Sequence, residues 1–250
     1  MNLTHDNYYS VEASIYYMGA TQFKDFMDCP ARALATVKGD WKESPNTAML
    51  IGSYVDAHFS GTMDEFKSQN PDIFKKNGEL LAGYLQANII IDRIESDKAM
   101  MKYLSGEMQT IKTGTIGGVP FKIKMDSYKP DQFICDLKVM RDFKPIWKDG
   151  ERMNFVTAWG YDYQGAIYRA VEGNDLPFVI AGATKETVPN IELMYIPADV
   201  LDDQISIVHE LAPQFQMIKL GLVEPERCGH CDYCNATKVL GEPIDFREVE

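Results

Sequence analysis

The stretch EMQTIKTGTIGGVPFKIKMDSYKPDQFICDLKVM, residues 107–140, decides the fold. Apolar and polar residues alternate along it, as they do in strands that bury one face. The pairs Gly117-Gly118 and Pro130-Asp131 interrupt this alternation with residues that favour tight turns. The stretch therefore predicts a meander of three consecutive strands.

Segments on both sides of the meander complete the domain. Three helices are predicted before it, at residues 21–39, 45–59 and 78–94. Pro30 should bend or split the first of them, because proline lacks the amide hydrogen that a helical turn needs. Two helices and two strands are predicted after it, at residues 154–173, 199–221, 177–186 and 190–198, and Pro213 should perturb the last helix. These elements predict one α/β domain with a mixed sheet over residues 1–250, with a core at about 20–222.

The composition narrows the class of protein. The 250 residues are 45% hydrophobic, which is enough for a sizeable core. Neither a run of about 18 apolar residues nor a basic-then-apolar N-terminus is present, so we expect a cytoplasmic protein with reduced cysteines. The net charge of −12 argues against binding of nucleic acid through the overall charge of the protein. Residues 120–152, however, hold eight basic and six acidic side chains.

Two opposite charges interrupt the apolar third strand. Asp136 and Lys138 are two residues apart, so both side chains point to one face of the sheet. The turn at residues 130–131 should bring Asp126, on the second strand, beside Asp136. Two close carboxylates repel unless a cation lies between them, and Mg²⁺ or Mn²⁺ prefers such oxygen ligands. The pattern predicts a metal site in which Lys138 stabilises charge on a phosphate, and a surface ion pair is the alternative.

Two helical motifs accompany the carboxylates. His58 ends a helical segment that a glycine opens, and Gln164 and Tyr168, four residues apart, share a helix face. In this order the motifs resemble the PD-(D/E)xK nuclease superfamily, in its RecB-like and phage RecE-like (exodeoxyribonuclease VIII-type) branch. The resemblance rests on a glycine-to-histidine helix, an Asp, Asp-x-Lys and Gln-x-x-x-Tyr, and spans about residues 20–235. Met125 stands where the family usually has a proline before the first Asp.

The resemblance implies a fold and a set of site residues. The expected fold is a restriction-endonuclease-like core, an α/β arrangement in which helices flank a mixed central sheet. The groups implied to bind Mg²⁺ or Mn²⁺ are the side chains of His58, Asp126 and Asp136 and the carbonyl of Leu137. Catalytic or positioning roles are implied for Lys138, Asp136, Asp126, Gln164 and Tyr168. The basic residues expected to contact DNA are Arg141, Lys144 and Arg152.

The resemblance also implies an activity and partners. The expected enzyme is a metal-dependent exonuclease that digests linear double-stranded DNA from 5′ to 3′ and leaves single strands for phage-type homologous recombination. The expected partners are duplex DNA ends, a RecT-like single-strand annealing protein and further copies of the chain in a ring, in a bacterial host or encoded by a phage. Two alternatives stay open: a CRISPR-adaptation-like nuclease that trims DNA ends, and a non-catalytic iron–sulfur DNA-binding module.

The cysteines form a second candidate metal site. Three of them follow the spacing C-x2-C-x2-C near the C-terminus: Cys228, Cys231 and Cys234. Thiolates this close in a reducing compartment indicate metal binding, and Cys29 is the candidate for the fourth ligand. The pattern resembles the site of AddB-type helicase-nucleases and CRISPR adaptation nucleases, which implies a [4Fe–4S] cluster that packs segment 223–240 against the N-terminal helix. A zinc site completed by Cys29 or His230 is the alternative.

Overall fold

The structure is a computed structural model that describes residues 1–43, 46–148, 150–243, 245 and 247. Three positions used above lie outside the described residues: Pro45 at the start of a predicted helix, Asp149 in the charged segment and Glu250 at the end of the predicted domain. Every residue predicted to belong to a site lies within the described residues.

A mixed sheet forms the centre of the fold. The strands are β1 (Glu107–Ile116), β2 (Val119–Lys129), β3 (Phe133–Met140), β4 (Ile146–Lys148), β5 (Glu151–Met153), β6 (Phe178–Thr184) and β7 (Ile191–Tyr195). The main sheet has the order β1-β2-β3-β6-β7, in which β6 runs parallel to β3 and antiparallel to β7. The first three strands are the predicted meander, and Gly117 and Gly118 both have positive φ in its first turn. The predicted mixed sheet is therefore confirmed.

Helices cover both faces of the sheet. They are α1 (Val11–Tyr16), α2 (Ala20–Asp28), α3 (Pro30–Lys38), α4 (Thr47–Phe59), α5 (Met63–Gln69), α6 (Ala82–Glu95), α7 (Lys98–Tyr103), α8 (Phe155–Ala158), α9 (Tyr161–Glu172), α10 (Ala198–Lys219) and α11 (Asp232–Ala236). A 3-10 turn lies at Pro71–Ile73. None of the described helices is both long enough and apolar enough to cross a bilayer.

The helix breaks follow the backbone chemistry of single residues. Pro30 splits the first predicted helix into α2 and α3, and Cys29 has an extended backbone between them. The prediction of one helix over residues 154–173 is wrong, because Gly160 adopts the left-handed conformation with a φ of 61° and separates α8 from α9. Pro213, in contrast, lies inside a continuous α10. The β4–β5 hairpin and the short helices α1, α5, α7 and α11 were not predicted.

The alternation along β3 divides the apolar core in two. Ile134 packs into a core with α2, α9 and α10, whereas Cys135 packs into a second core with α4 and α6. Asp136 and Lys138 continue the alternation of Ile134, so they point toward the side of the sheet that α2 and α9 cover. The site described below lies where these helices meet the sheet.

Close packing holds α9 against β6 at Gly165. A Cβ atom there would lie 2.8 Å from Cδ1 of Phe178 and 3.0 Å from Cδ2 of Leu201. We expect Gly165→Ala to lower the free energy of unfolding by about 1–3 kcal/mol, because overpacking displaces α9. Gly83→Ala in α6 is the matched control, since the nearest atom to its Cβ would be the flexible end of Ile51 at 3.1 Å, with Thr47 at an ordinary 3.9 Å, and alanine favours helix. Chemical denaturation measures both variants, and equal losses of stability would contradict this packing argument.

Candidate active site

Strand β2 loses its regular pairing at Asp126. Strand β2 pairs regularly with β1 on both sides of this position, but Asp126 and Gln109 do not pair. Gln109 has a positive φ of 52°. Pairing with β3 ends at Ser127 and Cys135, one residue before the position that would pair Asp126 with Asp136. The Asp126 carboxylate bridges the opening: Oδ1 accepts a hydrogen bond from Gln109 Nε2 at 3.3 Å, and Oδ2 accepts one from the backbone N–H of Leu137 at 3.0 Å. The two strands therefore separate at the pair of carboxylates.

Asp136 lies opposite Asp126 and is almost fully buried. Its Oδ1 accepts a hydrogen bond from Gln164 Nε2 at 2.7 Å, and its Oδ2 lies 2.5 Å from Lys138 Nζ. Apart from this ion pair, Oδ2 has no hydrogen-bond partner among the described residues. The structure thus brings Asp126, Asp136, Lys138 and Gln164 together, although they come from three elements of the fold.

The protein groups alone leave the site rich in negative charge. Burial raises the pKa of Asp126 well above the usual carboxyl value, and repulsion from Asp136 and Asp56 raises it further. Burial would lower the pKa of Lys138, but Asp136 and Asp126 outweigh it and raise that pKa. Asp126 therefore binds a proton more tightly than a free carboxyl does, and a bound cation would relieve the same repulsion.

Asp56, rather than His58, reaches this site from helix α4. His58 is exposed and its Nε2 lies 2.7 Å from Glu95 Oε1, whereas Asp56 lines the cleft that contains Asp126 and Asp136. Burial and repulsion from Asp136 raise the pKa of Asp56. Residues two apart on a helix lie on different faces, so both cannot reach one site. The structure does not place the predicted ligand His58 at this site, and we name Asp56, Asp126 and Asp136 the acidic cluster.

The assignment of Asp56 to this site, in place of the predicted His58, can be tested directly by mutation. We expect Asp56→Asn to reduce the activity that the resemblance implies about 10- to 100-fold, because it removes a carboxylate from the acidic cluster. His58→Ala is the matched control on the same helix, and it should keep the activity of the wild type because it loses an exposed contact to Glu95 and a ring contact to Phe59, both outside the cleft lining. Initial rates at saturating Mg²⁺ compare the two variants. A large loss in His58→Ala with none in Asp56→Asn would restore the original assignment.

Tyr168 and Leu137 each form a hydrogen bond that involves the main chain around the site. The Tyr168 hydroxyl donates a hydrogen bond to the carbonyl of Lys124 at 3.0 Å, which ties α9 to β2 beside Asp126. Leu137 donates its N–H to Asp126, and the role of its carbonyl as a metal ligand stays a prediction. Both residues line the same cleft as the acidic cluster.

A cleft of about 1080 Å³ opens over the acidic cluster. Its basic lining residues are Lys24, Lys122, Lys124, Lys138, Arg141 and Lys185. Of the three residues predicted to contact DNA, Arg141 lines the cleft, where it is exposed and lies 3.0 Å from Asp142. Lys144 and Arg152 are exposed on the segment that follows β3 and are not among the lining residues. The structure therefore places only Arg141 of these three beside the acidic cluster.

Lys24 is a cleft residue that sequence reasoning missed. Its Nζ donates a hydrogen bond to the carbonyl of Trp159 at 3.1 Å and lies 5.5 Å from the ring centre of Tyr161. Lys138 Nζ lies 5.2 Å from the same ring, and the two ammonium groups are close enough to repel each other. Burial and then repulsion from Lys138 lower the pKa of Lys24 to about 8. Lys24 lies in α2, more than a hundred residues before Lys138, and no local pattern connects them.

Four cysteines form a separate site between α3 and α11, which we name the cysteine cluster. Sγ of Cys29 lies 3.7 Å from Sγ of Cys234 and 3.8 Å from Sγ of Cys231, and Sγ of Cys228 lies 3.9 Å from Sγ of Cys234. All four ligand atoms lie within 4.8 Å of one another. His230 does not complete this set, since its Nδ1 lies 3.0 Å from the carbonyl of Cys228. Backbone N–H groups outweigh burial and lower the pKa of Cys228 to about 6, which favours the thiolate.

The donor atoms of the acidic cluster fit a hard divalent cation. Carboxylate oxygens are the ligands that Mg²⁺ and Mn²⁺ prefer. Asp136 Oδ2 is buried and lacks a hydrogen-bond partner within the described residues, so an oxygen ligand is available on the cleft side. Asp126 and Asp56 supply further carboxylates. A divalent cation and a fixed positive charge together can neutralise charge that develops on a phosphodiester, and Lys138 supplies the fixed charge.

The mixed sheet and its Asp, Asp-x-Lys and Gln motifs define a nuclease of the PD-(D/E)xK class. The family model described as "PDDEXK-like domain of unknown function (DUF3799)" matches residues 19–237, and the chain belongs to this family. A crystal structure described as "Putative exonuclease" from Eubacterium rectale is 44% identical, covers 98% of this chain and 97% of that chain, and superposes with a TM-score of 0.94. The search of curated proteins gave no match.

Proposed function

We propose that this nuclease is a metal-dependent exodeoxyribonuclease that hydrolyses phosphodiester bonds at the ends of linear double-stranded DNA. The observation that carries the proposal is the joining of Asp126, Asp136 and Lys138 at the floor of a cleft with basic walls. The Eubacterium rectale structure described as "Putative exonuclease" supports action at strand ends. A DNA strand carries one phosphate per nucleotide, so the basic walls match its backbone charge.

Each residue of the site has a distinct task in this reaction. Asp126, Asp136 and Asp56 would hold Mg²⁺ or Mn²⁺, which supplies an activated water and neutralises charge on the phosphate. Gln164 binds Oδ1 of Asp136 and so directs Oδ2 toward the cleft and Lys138. The ammonium group of Lys138 stabilises the negative charge that develops on the phosphate in the transition state.

The cleft walls position the strand for hydrolysis. Lys24 and Arg141 both line the cleft and offer cations to the phosphates of the bound strand. Trp159 is 57% exposed at the cleft and presents a ring on which a terminal base can stack. These contacts let a protein with a net charge of −12 bind DNA locally.

We further propose 5′ to 3′ digestion that leaves a single strand for phage-type homologous recombination. A RecT-like annealing protein would bind that strand, and several copies of the chain would enclose the duplex in a ring. The motif order in the sequence, which resembles that of the RecE-like branch, supports this direction of digestion and these partners. A ring would place the basic cleft walls inward and the acidic remainder of the surface outward.

The decisive experiment digests linear duplex DNA that is labelled separately at its 5′ and 3′ ends. Wild type is assayed with Mg²⁺ beside an EDTA control, Asp136→Asn and covalently closed circular DNA. The proposal expects early release of the 5′ label, an intact circle, and no activity in EDTA or Asp136→Asn. Early release of the 3′ label would overturn the polarity, and cleavage of the circle would replace the exonuclease with an endonuclease. Tight DNA binding without any digestion would favour a non-catalytic module.

Cation binding to the acidic cluster should depend on pH. The raised pKa of Asp126 means that the folded protein without a cation binds a proton more tightly than the unfolded chain. This contribution to stability is complete below the ordinary carboxyl pKa of about 4 and is lost as pH rises through the raised value. Because Mn²⁺ competes with that proton, we expect it to raise the melting temperature more at about pH 8 than at about pH 5.5.

Differential scanning fluorimetry with and without Mn²⁺ measures this effect. Asp126→Asn is the matched control, because its amide keeps the shape of the carboxyl but neither ionises nor repels Asp136. The pH dependence of the Mn²⁺ effect should be much weaker in this variant. A gain in melting temperature that is equal at both pH values in the wild type would contradict the raised pKa of Asp126.

A further inference from the structure

The four sulfur atoms of the cysteine cluster lie close enough together to share one ligand. Three of their separations are 3.7, 3.8 and 3.9 Å, and none of the four ligand atoms is more than 4.8 Å from another. The separations of 3.7 and 3.8 Å join Cys29 to residues about 200 positions later in the chain, so they reflect tertiary packing rather than local spacing.

These separations match a single metal ion with four thiolate ligands. A tetrahedral zinc ion binds each sulfur at about 2.3 Å, which places the sulfurs about 3.8 Å apart. In a [4Fe–4S] cluster each cysteine binds a different iron at an outer corner of a cube of iron and sulfide, so the cysteine sulfurs are separated by the width of the cube as well. Four sulfur atoms that lie no more than 4.8 Å from one another leave no room for that cube between them.

The surrounding backbone holds the sulfurs in place. Cys29 is fully buried at the break between α2 and α3, where its N–H donates to the carbonyl of Asp25 and its carbonyl accepts from Ala33, each at 2.9 Å. On the other side, the N–H of Cys234 donates to Sγ of Cys231 at 3.4 Å, and Arg227 donates to the carbonyl of Cys234 at 3.0 Å. Spreading the sulfurs around a cluster would therefore disturb these contacts and the packing of the buried Cys29 and Cys234.

We infer that Cys29, Cys228, Cys231 and Cys234 bind one tetrahedral zinc ion, and not the [4Fe–4S] cluster that the cysteine pattern implies by resemblance. Thiolates are soft ligands that select zinc or iron, and four of them without an open position make a closed structural site. Zinc has no redox chemistry, so this site joins the two ends of the chain without responding to oxidant through the metal. The inference does not depend on the proposed nuclease activity.

The test is the metal content of the full-length chain. The wild type is produced in cells supplied with both iron and zinc and purified without oxygen, so that an iron cluster would survive. Elemental analysis, acid-labile sulfide and X-ray absorption at the zinc edge are measured on this protein. We expect about one zinc per chain, four sulfur neighbours at about 2.3 Å, no sulfide and no visible colour.

Two results would overturn the inference. Iron in stoichiometric amount, with or without sulfide, would show that the site selects iron. Neither metal in stoichiometric amount would show that the four cysteines pack as thiols. Cys135→Ser, which changes a cysteine outside the cysteine cluster, should keep the zinc, whereas Cys228→Ser should lose most of it. Cys228 is partly exposed, so its substitution disturbs the packing of the core least.

Discussion

Lys138→Met should reduce the rate of DNA hydrolysis by about 10²- to 10³-fold while the protein still binds DNA. Methionine keeps most of the unbranched stem of lysine but removes the ammonium group that lies 2.5 Å from Asp136 Oδ2. Removing one group that stabilises transition-state charge costs about this factor in enzymes for which it has been measured. Binding should persist, because the other basic residues of the cleft walls remain.

The assay for Lys138→Met must separate catalysis from folding. The substitution leaves Asp136 buried without its cation, so activity and melting temperature are both measured with Mn²⁺ present, which replaces part of the lost charge. Lys75→Met is the matched control, since Lys75 forms an exposed pair with Glu79, and neither residue lines the cleft. Rates at saturating DNA and a binding isotherm complete the comparison. If Lys138→Met digests DNA as fast as Lys75→Met, the Asp136–Lys138 pair is structural and the proposed mechanism fails.

The central part of this site could be predicted because strand geometry is regular. A period of two fixes Asp136 and Lys138 on one face, and the short turn after β2 fixes Asp126 opposite Asp136. Residues 107–140 therefore carried both the fold and the carboxylate pair. The strand separation at Asp126 was not predictable in this way, because it depends on the positive φ of Gln109 and on a side chain that replaces a backbone partner.

The helical contributions to the site were harder to predict. His58 matched the letters of a family motif, but the face of α4 decides which residue reaches the cleft, and that face carries Asp56. The sequence did contain a signal for this choice. Asp56 is four residues after Gly52 and shares its helix face, whereas His58 is six residues after Gly52 and does not. Lys24 had no such signal, since only the packing of α2 beside α9 brings it to Lys138. Cys29 was found because cysteine is rare enough for its chemistry to identify it.

The second large effect concerns stability. Cys234→Ala should lower the free energy of unfolding by about 3–5 kcal/mol, because it removes a ligand from the cysteine cluster and opens the metal bridge between the two ends of the chain. If the bridge acts as a cross-link, the loop from Cys29 to Cys228 contains about 200 residues, for which the chain-entropy estimate is about 5 kcal/mol. The melting temperature should fall by about 10 °C in a chain of this size.

Cys135→Ala is the matched control for this prediction. Cys135 and Cys234 are both buried, and each variant replaces one thiol group by hydrogen. Cys135, however, lies on β3 outside the cysteine cluster. Losing its packing alone should cost about 1 kcal/mol. Thermal unfolding is measured for both variants, for the untreated wild type and for wild type treated with a strong chelator. The comparison gives the stability that Cys234→Ala loses in excess of Cys135→Ala. That excess should disappear when the chelated wild type is the reference, because the bridge is then already open. Equal losses in the two variants relative to the untreated wild type would mean that the cysteine cluster contributes only ordinary packing.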